Sequence, residues 1–217
     1  MYHYITDKEF IAQMRYFGGE LLQKLSHNLK EDYDMGTTFF LVGSGKRKLI
    51  MQNGNEPIDL DYNLKIVRCE DYYDYKNIKP NIIKAFNKVL RGYRLSNCND
   101  STSVITTKEI YFTKGNPTKF KIDIAIIAEN QDGTYDRLIH DKTGSISPDR
   151  YYWVQAPNSQ NINEKADYIK KNGKWEKVCE QYARIKNKYL TQNDYNHPSF
   201  VCYIEAINNV YNSRRHW

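Results

Sequence analysis

Asp59 and Asp61 stand two apart in Ile58-Asp59-Leu60-Asp61-Tyr62-Asn63-Leu64-Lys65-Ile66, a run whose apolar residues occupy every second position. In an extended strand that spacing puts both carboxylates on one face. Two like charges side by side repel, and burial penalises both ionised forms. A divalent cation offsets both costs, and hard carboxylate oxygens suit Mg2+ or Mn2+. A third acid, Asp123, lies inside a second apolar run, Lys121-Ile122-Asp123-Ile124-Ala125-Ile126. Three such acids are a donor set for two ions, which at roughly 3.5–4 Å separation would stabilise the attacking and leaving oxygens of an in-line phosphoryl displacement. Asp-x-Asp alone is ordinary on the solvated face of an antiparallel sheet. Its weight rises with Val42-Gly43-Ser44 upstream. There a strand-like run stops at a glycine turn that can offer backbone N–H groups and a hydroxyl to a phosphate oxygen.

These residues need strands to carry them and helices to cover the strands. Phe10, Met14, Phe17, Leu21 and Leu25 fall three or four apart, which predicts a helix from 7 to about 29, with Thr6 or Asp7 as cap. The β-rich run 37–42 enters the turn at 43–45, and 57–67 forms the strand with the paired acids. Ile78, Ile82, Phe86 and Val89 predict a helix over 78–90. Strands are expected at 103–107, 109–113, 120–128 and 135–140, separated by turns at 114–117 and 131–133. Beyond Pro157 the pattern becomes helical: 162–171, then a stripe through Trp175, Val178, Tyr182, Ile185 and Tyr189, then one through Phe200, Ile204, Ile207 and Tyr211. Gly173 and Pro198 mark the breaks. The expected fold class is α/β (α+β), a short mixed sheet flanked by helices. Residues 1–155 would form the catalytic domain, and 156–217 a C-terminal helical segment packed on it.

The order Val42-Gly43-Ser44, Asp59-Leu60-Asp61-Tyr62, Asp123 resembles the signature of the DNA polymerase β-like nucleotidyltransferase superfamily. Fourteen residues, 45–58, separate Ser44 from Asp59, slightly more than the usual spacer. The surplus is expected in a longer helix after the turn or in a loop at 52–56. Ser101-Thr102-Ser103-Val104-Ile105 followed by Phe120-Lys121-Ile122-Asp123-Ile124 is similar to the strand pair of the oligoadenylate synthetase and bacterial cGAS-like (CD-NTase) branch. Arg184-Ile185-Lys186 and Pro198-Ser199-Phe200 resemble that branch's C-terminal helices. The resemblance implies transfer of NMP from an NTP to a hydroxyl acceptor, with pyrophosphate leaving. Asp59 and Asp61 would bridge two metal ions, and Asp123 would bind the catalytic one and help deprotonate the acceptor. Gly43 and Ser44 would grip the β- and γ-phosphates, and Lys186 and Ser199 would hold the triphosphate. A lysine on an amphipathic helix is ordinarily just solvated, so the residues themselves leave that last role open.

Fold-level likeness does not choose among a nucleotide, an RNA end, a protein hydroxyl and an antibiotic-type small molecule as acceptor. The chain is shorter than a complete cyclic-nucleotide synthase of that branch usually is. A non-catalytic nucleotide- or RNA-binding module is the rival of another class, against which the complete acid triad argues. At 217 residues one cooperative unit is expected. Lysine and arginine (32) exceed aspartate and glutamate (26) by 6, which favours anionic partners. No leader-like segment or run long enough to span a bilayer is present, so a cytoplasmic protein without a membrane partner is expected. Cys69, Cys98, Cys179 and Cys202 show no paired spacing and read as reduced thiols. The five histidines lack zinc-site spacing, Gly43-Ser44-Gly45-Lys46 is not a P-loop, and Asn63 stands where a restriction-type nuclease wants lysine.

Overall fold

The computed structural model describes all residues except 145–147, 157–159 and 195–196, and all side chains but those of 160 and 216 besides. Pro157, where the sequence changes texture, therefore lies outside the described residues. In chain order the elements are β1 (Tyr2–Tyr4), α1 (Lys8–Tyr33), β2 (Gly36–Leu41), α2 (Gly43–Arg47), β3 (Met51–Asn53), β4 (Ile58–Arg68) and α3 (Tyr75–Gly92). There follow β5 (Asn99–Asp100), β6 (Ile105–Thr106), β7 (Phe120–Glu129), β8 (Tyr135–Asp141), β9 (Arg150–Gln155), α4 (Gln160–Lys171), α5 (Trp175–Thr191) and α6 (Ser199–Asn212). They fall into two compact units, Thr6–Lys48 with Pro57–Ala156, and Met1–Ile5 with Leu49–Glu56 and Pro157–Trp217.

The larger unit holds a mixed sheet in the order β2-β4-β7-β6-β5, with β8 also on β7 and β9 on β8. Among the described residues only β4 and β7 run parallel. Alternation along β4 and β7 buries Ile58, Leu60, Tyr62, Leu64 and Ile66 beside Phe120, Ile122, Ile124 and Ile126. Each such side chain contributes roughly 1.5–3 kcal/mol by leaving water. Helix α1 covers this apolar face: Gly18 meets Tyr62 and Leu60, and the Phe10 ring lies edge-on to Phe120. Asp7 caps α1, accepting from the Phe10 N–H at 2.9 Å, as one of its two candidate caps. The helix continues past 29 to Tyr33, because its polar last turn carries no apolar signal, and stops at Asp34 in the left-handed region.

Two segments differ from expectation. The strands expected at 103–107 and 109–113 shrink to Ile105–Thr106 and one isolated bridge, Ile110 to Phe120. Thr106 pairs with Asp123 and Ile110 with Phe120, so residues 107–109 oppose only 121 and 122. This is a bulge with one extra residue. Thr107 Oγ1 accepts the Ile122 N–H at 2.9 Å, satisfying the backbone there. Phe112 serves the core instead, packing against the rings of Phe10, Phe17 and Phe120. Of the two places expected for the surplus between Ser44 and Asp59, the structure has it after the helix, not in a longer helix. Helix α2 has 5 residues, and the surplus forms β3 and the turn to Glu56.

The smaller unit pairs β1 with β3 antiparallel and packs Leu49 and Met51 with Ile169, Val178, Tyr182, Ile185, Cys202, Ala206, Ile207 and Val210 of α4, α5 and α6. The Asn187 side chain holds the Tyr2 backbone from both sides, at 2.7 and 3.1 Å, and the Tyr4 hydroxyl donates to the Cys179 carbonyl at 2.8 Å. Among the described residues no helix is long and apolar enough to cross a membrane. All four cysteines are free thiols.

Candidate active site

Parallel pairing of β4 with β7 sets Asp61 directly beside Asp123 and Asp59 directly beside Lys121. Neighbouring strands lie about 4.8 Å apart, so side chains in register share one face and stand next to each other. That face is the one opposite Leu60 and Ile122. The chain then brings Gly43 and Ser44 to the same place. Leu41 pairs with Tyr62, and the Val42 N–H donates to the Asp61 carbonyl at 2.9 Å, so the end of β2 is pinned at the second acid. Gly43 follows at φ 60°, a left-handed conformation costly for residues with a β-carbon. A β-carbon there would lie 2.0 Å from Asp61 Oδ2. Glycine is thus required twice over, by the backbone turn and by the carboxylate against it.

Arg15 of α1 braces this turn, its guanidinium donating to the Gly45 carbonyl. Gly45 itself packs on Leu60 and Leu41.

Asp123 is partly buried, as Asp61 is, while Asp59 is exposed. Burial holds the Asp123 carboxyl above the ordinary carboxylate range, against the opposing pull of the Thr106 hydroxyl and the Lys121 charge. Its Oδ1 atom is shielded from solvent and has no hydrogen-bond partner. An orphaned carboxylate oxygen in such a place calls for a ligand.

The donor chemistry fits a hard divalent cation: three carboxylates, two of them adjacent in register, and one buried oxygen left over. As they stand, the acids are not drawn into a common ligand shell. Among the described residues no group of three His, Cys, Asp or Glu side chains is close enough to hold one ion.

Asp59, Asp61, Asp123, Gly43 and Ser44 are therefore brought together by the larger unit. Lys186 and Ser199 belong to the smaller one and are adjacent there, Lys186 Nζ donating to Ser199 Oγ at 3.1 Å. The Lys186 ammonium also stands 3.9 Å above the Tyr2 ring.

Sequence reasoning passed over Thr106, Lys121 and Arg15. Lys121 could have been found, because it shares the alternation of Asp123. Also unforeseen was a buried ion cluster in the larger unit. Lys79, 1% exposed, stands 2.7 Å from Asp100 Oδ1, while His140 lies between Asp100 Oδ2 (2.6 Å) and Asp149 Oδ2 (2.9 Å). Burial lowers the Lys79 pKa, and the Asp100 carboxylate counters it. The cluster ties α3 to β5 and β8.

The fold is similar to that of the solved nucleotide-bound structures of CdnC, CdnE and DncV. No family model and no curated protein sequence matches the chain. Similarity lies in solved structures. CdnC of E. coli MS115-1 with ATP superposes with a TM-score of 0.55 at 15% identity, covering 93% of this chain and 61% of that one. CdnE cyclic dinucleotide synthase of Elizabethkingia meningoseptica, with GTP and Apcpp, gives 0.52 at 12%, covering 88% and 68%. DncV of Vibrio cholerae in its 3'-deoxy ATP bound form gives 0.55 at 13%, covering 82% and 45%. At these identities the likeness is one of fold, and the chain spans less than two thirds of CdnC and of DncV.

Proposed function

We propose that this chain is a metal-dependent nucleotidyltransferase that transfers NMP from an NTP to a hydroxyl acceptor. The observation that carries the reading is the register of Asp61 with Asp123, beside a glycine turn built against Asp61. The nucleotides named with CdnC, CdnE and DncV support an NTP as substrate. Asp59, Asp61 and Asp123 would hold two Mg2+ or Mn2+ ions, which when bound neutralise the triphosphate and activate the attacking oxygen.

The chain's own groups do the rest. The Gly43 turn and the Ser44 hydroxyl bind the β- and γ-phosphates. In the helical unit, Lys186 and Ser199 are assigned to nucleotide phosphates. The acceptor oxygen bonds to the α-phosphorus as the bond from that phosphorus to the β-phosphate bridge oxygen breaks, and pyrophosphate departs. The acceptor's proton goes to the Asp123 carboxylate. Positioning and charge stabilisation supply most of the acceleration.

The test is pyrophosphate release from each NTP with Mg2+ or Mn2+, across nucleotide, RNA, protein and aminoglycoside-type acceptors. Release that requires both metal and Asp123 is expected. Nucleotide binding without release across the whole panel would replace this reading with that of a binding module.

A further inference from the structure

We infer that Arg15 is a positioning residue for the proposed phosphate turn: from α1 it locks the last turn of α2 and so fixes Gly43 and Ser44 against Asp61. The inference rests on the proposed binding of the β- and γ-phosphates by Gly43 and Ser44. The Arg15 guanidinium donates to the Gly45 carbonyl, one residue beyond Ser44. Arg15 is also held through its backbone, since the Tyr62 hydroxyl donates to the Arg15 carbonyl at 3.2 Å. Tyr62 follows Asp61 on β4. One residue of α1 therefore ties the strand that carries Asp61 to the helix that opens with Gly43 and Ser44.

Helix α2 needs such a tie. It has 5 residues, against the roughly 12–15 at which a helix begins to hold its own shape, and its last carbonyls have no partner inside the helix. An arginine bonded to one of them supplies a charge-assisted hydrogen bond and a cation at the negative end of the helix. The underside of α2 offers little else to grip. Gly45 is buried, and a β-carbon on it would meet Leu60 at 3.0 Å and Leu41 at 3.2 Å, so α2 lies close to the sheet but has no side chain there to anchor it. Arg15 Nε is shielded from solvent and has no hydrogen-bond partner. An N–H buried unpaired costs folding free energy, so stability alone gives little reason for an arginine at this place.

Arg15→Met keeps much of the apolar stem and removes the donors. Calorimetry with the α,β-methylene analogues of ATP, GTP, CTP and UTP in Mg2+ reads triphosphate binding. The matching NMPs, read by competition in the turnover assay, lack the phosphates that the turn would hold. Arg15→Met should bind the triphosphate analogue about tenfold more weakly and the NMP as wild type does, with the NTP KM raised in proportion and kcat changed by less. Arg15→Lys, which keeps the charge on a shorter donor, should lose less, and it serves the same comparison should the methionine variant not fold. Wild-type triphosphate affinity in folded Arg15→Met would overturn the inference, as would equal weakening of triphosphate and NMP. Ser44→Ala separates the two levels. If it binds the triphosphate analogue as wild type does, the phosphate reading of the turn fails and the Arg15 role with it. If Ser44→Ala weakens the triphosphate selectively and Arg15→Met does not, only the Arg15 role fails.

Discussion

Gly43 and Asp61 are packed so closely that a β-carbon on the glycine would lie 2.0 Å from the carboxylate oxygen Oδ2. The backbone turn that could carry a phosphate and the acid that could carry a metal are therefore one construction. Moving either displaces the other.

Gly43→Ala tests that construction. The substitution forces a β-carbon into φ 60° and into the Asp61 carboxylate, and a strained backbone of this kind costs on the order of 1–3 kcal/mol. A lowered urea midpoint and loss of NTP turnover are expected together. Full turnover in a stably folded Gly43→Ala protein would show that the turn does not position Asp61.

Gly18 makes a second close approach, in the core. A β-carbon there would meet the Tyr62 hydroxyl at 2.7 Å. Alanine gains up to about 1 kcal/mol in helix propensity over glycine. Crowding should win, because Tyr62 is 4% exposed and its hydroxyl is committed to the Arg15 carbonyl at 3.2 Å. Overpacking of this kind costs about 1–3 kcal/mol. Gly18→Ala should destabilise wild type and do so less in a Tyr62→Phe background, as a double-mutant cycle by chemical denaturation would read.

Tyr62 also imposes a pH dependence. Burial pushes its phenol up to about 12 from an ordinary 10.0. The folded state thus favours the protonated form. Its contribution is complete below pH 10 and is lost as pH rises toward 12, where the unfolded chain ionises first. Tyr62→Phe should flatten the fall of unfolding free energy over that window. Tyr4, raised by burial too, keeps the same sign in both proteins. Parallel pH profiles for wild type and Tyr62→Phe would contradict the assignment.

The paired acids were legible because β4 alternates cleanly from Ile58 to Ile66, so a period of two could be read without knowing its neighbours. Gly43 was legible from a strand that stops at a glycine. Thr106 was not, since its meaning comes from register with Asp123, and a bulge sets that register. Arg15 gave no signal either: its contact with Gly45 joins residues thirty apart through the packing of α1. β1 and β3 have 3 residues each and pair across nearly fifty residues, so neither carries a periodic pattern. β9, with Tyr151, Tyr152, Trp153 and Val154, had the β-propensity to be found from its residues alone.

The central claim is that the carboxylate pair set by β4 and β7 runs a metal-dependent nucleotidyl transfer. Its most direct test incubates wild type and Asp61→Asn with labelled NTPs and Mg2+ or Mn2+, followed by mass analysis of all products. Wild type should release pyrophosphate and yield a nucleotidylated product. Asp61→Asn should fold with the same thermal midpoint or a higher one and lose turnover by on the order of a thousandfold. Undiminished turnover by Asp61→Asn would contradict the account.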